Sequence, residues 1–169
     1  MSWTNECTES NEFKVKNTKE VKEVLELMGF DVHEDTDGLS FTTSGEGTFF
    51  SEDTEVVLAK KPISIEGKTK NLIGIISDYA NDSVNIDDLE EEYGVTEEDV
   101  MIVPIIEYLQ DELLDEKQYI TVTCAGFESR SRGSFSPFGD VTIITKTSTD
   151  FVSLYGSVYK ILEDRKLAK

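Results

Sequence analysis

Apolar and polar residues alternate along this chain with two periods, and each period predicts a different kind of element. A helical period follows the polar pair Asn17-Thr18, with four apolar residues spaced three or four positions apart or adjacent: Val21, Val24, Leu25 and Met28. Asn17 or Thr18 can cap the first turn, with Glu20 placed to reach back towards Asn17, and Gly29 favours a helix end. We therefore predict a helix between Asn17 and Gly29.

A period of two, typical of strands, marks several short segments that are bounded by turn residues. These segments are residues 11–16, 30–33, 39–43, 55–59, 63–65, 119–124 and 141–145. The sequence Lys60-Lys61-Pro62 is expected to interrupt two of them, and the polar residues 1–10 are expected to form a loose arm. The apolar run 72–76 is too short for periodicity to separate a strand from the start of a helix.

Short helical signals follow in an acid-rich part of the chain. Ile86, Leu89 and Tyr93 share one helical face, and Gly94 ends that pattern, which predicts a short acidic helix. The sequence Thr96-Glu-Glu-Asp resembles a capping box that opens the next element. Together these residues suggest a helix, a glycine turn and a second helix.

Two longer helices are predicted nearer the carboxyl end. Pro104 suits the first turn of a helix over residues 104–116, since a proline there loses no helical hydrogen bond. Its inner face would hold Ile105, Ile106, Leu109 and Leu113. Thr149 and Asp150 are placed to cap a last helix. The apolar face of that helix would hold Val152, Tyr155, Tyr159 and Leu162.

The order of these elements predicts an α+β fold with an antiparallel sheet, helices packed on one side and an acidic helical middle segment. A chain of 169 residues is most simply one domain. We therefore expect a single α+β domain over residues 1–169, with residues 71–116 as an acidic helical segment or insertion within it.

The negative charge of the chain is concentrated in that middle segment. The formal net charge is −19, and residues 71–116 contribute −15 of it with no Lys or Arg, whereas residues 117–169 have a balance of +3. Nucleic acid and anionic membranes are disfavoured partners of such a surface. A basic protein groove or a cation is favoured.

Several chemical classes find little support in the sequence. His33 is the only histidine and is expected at the surface, and Cys7 and Cys124 are too few for a disulfide framework or a zinc site. A calcium loop from Asp78 fails because Ala80 and Ser83 occupy positions where that loop needs an oxygen ligand and a glycine. We expect no cofactor, no metal and no catalytic residue. The polar start MSWTNECTESNEFK predicts no signal peptide, and the protein is expected in the cytoplasm.

The helix-turn-helix-like pattern over residues 87–100 carries carboxylates where a DNA reader needs basic or amide side chains. Carboxylates on such helices can be spaced like the phosphates of a duplex and can enter a groove built for DNA. The candidate partner-binding residues are Asp87, Asp88, Glu90, Glu91, Glu92, Glu97, Glu98, Asp99, Asp111, Glu112, Asp115 and Glu116. Helical spacing would place Asp88, Glu91 and Glu92 on one outer face, and Asp111, Glu112 and Asp115 on another.

A second candidate contact is the sequence ESRSRGSFSPFG at residues 128–139, which holds two of the three arginines of the chain. We expect a loop here that joins the strands 119–124 and 141–145. Its candidate contact residues are Arg130, Arg132, Phe135 and Phe138, because Arg and aromatic side chains are favoured anchors at protein interfaces. The arginines could equally pair with the acids of the chain itself while the phenylalanines enter the core.

The segment that begins Ser10-Asn-Glu-Phe-Lys-Val-Lys-Asn-Thr-Lys-Glu-Val-Lys, the helix stop at Gly29 and the later helix-hairpin-helix order resemble small acidic proteins of phages and plasmids. The resemblance covers about half of the chain. It implies a mobile-element origin and no catalytic residues. Small acidic proteins of this kind are often similar to DNA mimics that inhibit restriction or CRISPR nucleases of the host.

Three functional hypotheses follow. The first is a non-enzymatic inhibitor, of the antirestriction or anti-CRISPR kind, whose partner is a host protein with a basic nucleic-acid-binding groove. The second is an immunity-type or regulatory module that binds proteins through residues 127–138. The third is a carboxylate-based, metal-dependent enzyme.

Overall fold

The computed structural model describes residues 4–44, 50–65, 67–78, 80, 83–130, 134–153 and 165. These residues form an α+β fold, as predicted. The strands are β1 (Thr4–Ser10), β2 (Asp31–Glu34), β3 (Leu39–Ser44), β4 (Glu55–Ile65), β5 (Lys68–Ile76), β6 (Val100–Pro104), β7 (Tyr119–Arg130), β8 (Ser134–Thr145) and β9 (Ser148–Ser153). The helices are α1 (Thr18–Leu27), α2 (Leu89–Tyr93) and α3 (Ile105–Glu112), and residues 86–88 and 97–99 form single 3₁₀ turns.

The strands form two antiparallel sheets. The larger sheet has six strands in the order β2-β3-β1-β7-β8-β9, and the smaller has three in the order β5-β4-β6. Because β6 pairs with β4 alone among the described strands, it is an edge of the smaller sheet. No helix in the described ranges has the length and apolar character needed to cross a membrane.

Helices α1 and α3 connect the two sheets through the main core. Helix α1 contacts β2, β3 and β5, and α3 contacts β4, β6 and β8. The residues that fill this core without exposure to solvent include Val24 and Leu25 of α1, Ile105 and Leu109 of α3, and Ile75 of β5. Removal of such apolar side chains from water is the main favourable term in folding.

A second apolar cluster lies on the opposite face of the smaller sheet. Val57 of β4 and Ile73 of β5 pack there against Leu89 of α2 and against Val84 and Val95 on either side of that helix. The residues between β5 and β6 therefore form a cover over this sheet.

Several elements predicted from the sequence are confirmed. Helix α1 begins after Asn17, whose side-chain oxygen accepts a hydrogen bond from the Glu20 N–H, and its inner residues are buried. Strands β2 and β3 and the hairpin β7–β8 occur where alternation predicted them, and α2 ends at Gly94, which has a left-handed φ of 67°. Residues 72–76 prove to be strand, within β5.

Two predictions at the ends of the chain are wrong. The polar residues 4–10 are a strand, β1, which pairs with both β3 and β7. Thr149 and Asp150 do not cap a helix, because they pair with Ile144 and Ile143 within β9. Val152, which was predicted on the apolar face of that helix, pairs with Val141 in the same strand. Tyr155, Tyr159 and Leu162 lie outside the described residues.

The predicted acidic helical middle segment is not confirmed. Residues 71–116 contribute most of β5 and all of β6 to the smaller sheet, beside two short helices and two 3₁₀ turns. Helix α3 ends at Glu112 rather than at residue 116, and Pro104 is the residue that precedes it. Lys60-Lys61-Pro62 does not end β4, although the pairing of β4 with β5 skips from Leu58 to Ile63 there.

Candidate functional site

The acidic cover over the smaller sheet, residues 86–99, is called the acidic layer below. Its local conformation follows from capping residues. The Asn85 side chain accepts a hydrogen bond from the Asp87 N–H and donates one to Asp88, which starts the first turn. Gly94 then ends α2 in a left-handed conformation that a side chain would strain, and Thr96 and Asp99 form a capping box around the second 3₁₀ turn.

The acidic layer has an apolar inner side and a charged outer side. Leu89 and Val95 are buried against the smaller sheet, and Ile86 and Tyr93 are half-buried beside them. All eight carboxylates of the layer are exposed, namely those of Asp87, Asp88, Glu90, Glu91, Glu92, Glu97, Glu98 and Asp99. The apolar anchors therefore fix the orientation of the layer and leave its carboxylates in water.

Of the lysines that the structure describes, Lys60 and Lys61 approach one end of the layer, beside Glu98 and Asp99. The Lys60 ammonium donates to the Glu98 backbone carbonyl at 2.6 Å. Hydrogen bonds from the Thr96 hydroxyl and N–H lower the pKa of Asp99, and the nearby charges of Lys61 and Lys60 lower it further. Asp99 therefore takes part in the capping box, and its side chain remains exposed.

The other end of the layer carries negative charge, and no basic residue in the described ranges forms an ion pair with it. Within the described residues, no ion pair involves Asp87, Asp88, Glu90, Glu91 or Glu92. Partial burial, followed by the charge of Glu92, raises the pKa of the Tyr93 phenol, because both disfavour its anion. Residues 87–92 are thus the part of the acidic layer with uncompensated charge.

The remaining four candidate acids lie elsewhere, at the end of α3 or just beyond it: Asp111, Glu112, Asp115 and Glu116. The Glu112 carboxylate accepts the Asn17 N–H at 3.0 Å, and the Asp115 carboxylate accepts the Lys117 N–H at 2.8 Å. Because α3 ends at Glu112, Asp115 does not continue the helical face of Asp111 as predicted.

Two lysines donate hydrogen bonds to backbone carbonyls near this second group. The Lys16 ammonium donates to the Asp111 carbonyl, and the Lys146 ammonium donates to the Leu113 carbonyl at 2.7 Å. The twelve predicted acids therefore fall into two groups on different elements, and the group at the end of α3 is part of the contact between α3, the start of α1 and the β8–β9 turn.

The predicted helix-turn-helix is absent from the acidic layer. Its first helix, α2, has five residues, and its second is a single 3₁₀ turn that leads directly into β6. Asp88 therefore lies in a 3₁₀ turn, and Glu91 and Glu92 lie in the short helix that follows it. The three residues of the expected outer face are thus on two elements.

The loop predicted at residues 128–139 is much shorter in the structure. Strands β7 and β8 pair as far as Arg130 and Ser134, so Phe135 and Phe138 belong to β8. Arg132 lies outside the described residues. The described part of this segment lies at the far end of a long hairpin. No side-chain contact is described for Arg130, Arg132, Phe135 or Phe138.

One group of carboxylates in the described part of the chain has the spacing of cation ligands, and it was not predicted. Oxygens of Glu12, Asp35 and Asp37 lie within 4.8 Å of one another at exposed positions. Asp35 accepts the Asp37 and Gly38 N–H groups of its own turn. His33 is exposed on β2, as expected, and lies outside this group.

The sequence analysis also missed the edge strand β6. Met101 and Ile102 keep 49% and 39% of their surface exposed, directly after the acidic layer. The apolar run before Pro104 was the available signal, and no element was predicted for it.

Comparison of the chain with protein-family models, with curated proteins and with solved structures found no match.

Proposed function

We propose that this protein is a non-enzymatic inhibitor, encoded by a phage or another mobile element, that binds a host defence nuclease of the CRISPR–Cas or restriction type. Its acidic layer would occupy the basic groove in which the nuclease binds nucleic acid. The observation that supports this proposal is the group of five exposed carboxylates at residues 87–92. They form no ion pair with a described residue, and Leu89 anchors them to the smaller sheet.

The linear charge density of this segment is close to that of a duplex. Residues 87–92 carry five carboxylates. With a rise of about 1.5 to 2 Å per residue in α- and 3₁₀-helix, the segment extends over roughly 8 to 9 Å. That gives one charge per roughly 1.7 Å, the value for the axis of B-DNA when both strands are counted. A row of Lys and Arg side chains that binds phosphates can therefore bind these carboxylates by the same electrostatic attraction.

The cost of this arrangement supports a binding role. Carboxylates this close repel one another, and a lysine among them would relieve the repulsion. Among the described residues, Lys60 and Lys61 lie beside the other end of the layer. Residues 87–92 are therefore the main contact of the proposal, and Glu97 and Glu98 flank it. At the end of α3, the carboxylates of Glu112 and Asp115 accept backbone N–H groups instead.

The test compares inhibition by two neutralised variants. The first is D87N/D88N/E90Q/E91Q/E92Q, and the matched control is D111N/D115N/E116Q, which removes carboxylates from the other acidic group. Plasmid cleavage by a panel of purified CRISPR effectors and restriction nucleases is measured against inhibitor concentration. For the nuclease that the wild type inhibits, the first variant should need at least about 100 times more protein for half-inhibition, and the control less than about threefold more.

Salt provides a second readout, since inhibition by the wild type should weaken steeply as ionic strength rises. Equal losses in the two variants would contradict the assignment to residues 87–92. Loss of inhibition in R130A/R132A/F135A, with D87N/D88N/E90Q/E91Q/E92Q fully active, would instead place the contact on the β7–β8 hairpin.

A further inference from the structure

The free edge of β6 lies next to the acidic layer and offers backbone groups for pairing. In an antiparallel ladder, residues alternate between those that bond to the neighbouring strand and those that point away from it. The Ile105 N–H donates to the Thr54 carbonyl at 2.8 Å, one position beyond the pair of Pro104 with Glu55. Because bonding residues alternate along the strand, Val103 and Met101 bond to β4 on the same side as Ile105. The N–H and carbonyl of Ile102 therefore point to the other edge of β6.

Nothing in the described part of the chain occupies that edge. No hydrogen bond joins the backbone of Ile102 to a described residue outside β4. Strand β6 holds no Lys or Arg to guard its edge, and Pro104, which lacks an N–H, limits pairing to the part of the strand before it. The Ile102 side chain shares the sheet face of Val57, its partner on β4, and Val57 belongs to the apolar cluster beneath the acidic layer. An added strand would bring one of its side chains beside Ile102.

Both ends of β6 carry exposed carboxylates. Glu97 and Glu98 precede the strand, and Glu107 follows it in the first turn of α3. A second copy of this chain paired antiparallel through β6 would bring the Glu97 end of one copy against the Glu107 end of the other. Like charges placed opposite each other across strands are destabilising. The charge of this edge therefore favours a basic strand from a different protein.

We propose that the β6 edge binds an extended segment of the partner, with an apolar residue beside Ile102 and Lys or Arg residues towards Glu97, Glu98 and Glu107. The backbone hydrogen bonds of such strand addition supply affinity, and alternate side chains supply specificity. The inference rests on the proposed function, because it gives the nuclease a second contact next to the one made by residues 87–92.

The test uses a synthetic nine-residue peptide of alternating Val and Lys as the probe. Its binding to the full chain is measured by titration and by hydrogen exchange at the Ile102 amide. The peptide should slow exchange at Ile102 by at least about tenfold. A control peptide of the same charge with proline at its central Val positions should not, because it lacks the amides needed for pairing.

A variant of the protein tests the same edge from the other side. I102P removes the outward N–H, and proline is tolerated at an edge position that makes no ladder bond. It should weaken peptide binding at least about tenfold, whereas I102V, which keeps the N–H, should change it less than about twofold. A thermal melt of each variant checks that the fold is retained, and if I102P unfolds, N-methylation of the central Val of the peptide replaces it.

The outcomes separate this inference from the proposed function. Equal binding of both peptides would mean that charge alone attracts them, and this result would overturn strand addition. It would not change the expected result of the nuclease assay with D87N/D88N/E90Q/E91Q/E92Q. Protection of Ile102 that depends on protein concentration without peptide would assign the edge to a second copy and also overturn the proposal. Peptide pairing together with inhibition that survives that five-site variant would support the edge and contradict the proposed function.

Discussion

At the scale of single residues, the start of α1 shows how a predicted local motif is completed by a distant residue. Asn17 caps the helix as expected, but the carboxylate that accepts its N–H belongs to Glu112 of α3 rather than to Glu20. Glu20 instead accepts a hydrogen bond from the Tyr108 hydroxyl at 3.2 Å. The two helices are therefore joined through their polar ends as well as through the core.

Glu20 should make the stability of the protein depend on pH. Burial raises its pKa, the hydrogen bond from Tyr108 partly opposes that rise, and the charges of Glu112 and Glu23 add to it. Because the folded state then holds the proton more tightly than the unfolded state, this carboxyl should lower stability as pH rises above the ordinary value of 4.5. The E20Q variant, whose amide oxygen still accepts from Tyr108, should therefore be slightly more stable than the wild type at pH 7 and equal to it near pH 4.

Urea unfolding of E20Q and wild type across this pH range measures the difference. The E26Q variant is the control, since Glu26 is an exposed residue of the same helix. A stability gain for E20Q that is the same at pH 4 and pH 7 would show that desolvation of the Glu20 charge is not the cause.

At the scale of elements, one close contact holds the chain just before the acidic layer to the smaller sheet. The Val84 N–H donates to the Ile75 carbonyl at 2.8 Å, and the Val84 side chain occupies the space over Gly74. A β-carbon at residue 74 would collide with a methyl group of Val84. Gly74 is therefore needed because Val84 packs closely against β5 at this position, and not because the backbone is in an unusual conformation.

The G74A variant should lose about 1–3 kcal/mol of unfolding free energy, because the stiff, branched Val84 side chain has to move. The double variant G74A/V84A should lose less than the sum of the two single variants, since the second change removes the colliding methyl group. Urea unfolding of all four proteins gives the coupling energy. Additive losses would mean that Val84 does not set the requirement for glycine.

The elements also differ in how much of each was visible in the sequence. Helix α1 combines a cap, a regular apolar spacing and a glycine stop, all within one short segment, and its bounds are confirmed. Strand β1 has no such local pattern. It is held instead by backbone pairing with two distant strands, one on either side. Thr149-Asp150 has the local chemistry of a helix cap, but pairing of β9 with β8 overrides that preference.

At the scale of the whole molecule, the negative charge is uneven in a way that total composition does not describe. Basic residues lie on the hairpin of β4 and β5 and around α1, where Lys70 pairs with Glu23 at 2.7 Å and Lys22 with Glu34 at 3.6 Å. A groove of about 950 Å³ between α1 and this hairpin is lined by such mixed charges. Residues 87–92 differ from this groove because none of their carboxylates forms an ion pair with a described lysine or arginine.

Salt should act in opposite directions on the fold and on the proposed complex. With a net charge of −19, self-repulsion opposes the compact state, and raising NaCl from about 0.01 M to about 1 M shortens the Debye length from about 30 Å to about 3 Å. The unfolding free energy measured in urea should therefore rise with salt, and it should rise less in D87N/D88N/E90Q/E91Q/E92Q. A decrease with salt in the wild type would mean that attraction between its own charges outweighs their repulsion.

The sequence by itself determined the features that depend on neighbours along the chain. It indicated the α+β class, α1 with its cap and glycine stop, the hairpin of β7 and β8, the short acidic helix ended by Gly94, and the absence of bases from residues 71–116. The individual elements follow from hydrogen bonds or apolar spacing within a few residues, the fold class from their order, and the charge balance from composition.

Only the tertiary structure decided the features that depend on which distant segments meet. It placed β6 at a sheet edge, divided the twelve candidate acids into two separate groups, and assigned Glu112 to the cap of another helix. Strand pairing and the burial of a helix face join residues far apart in the chain, and the energy of those contacts exceeds local preference where the two disagree.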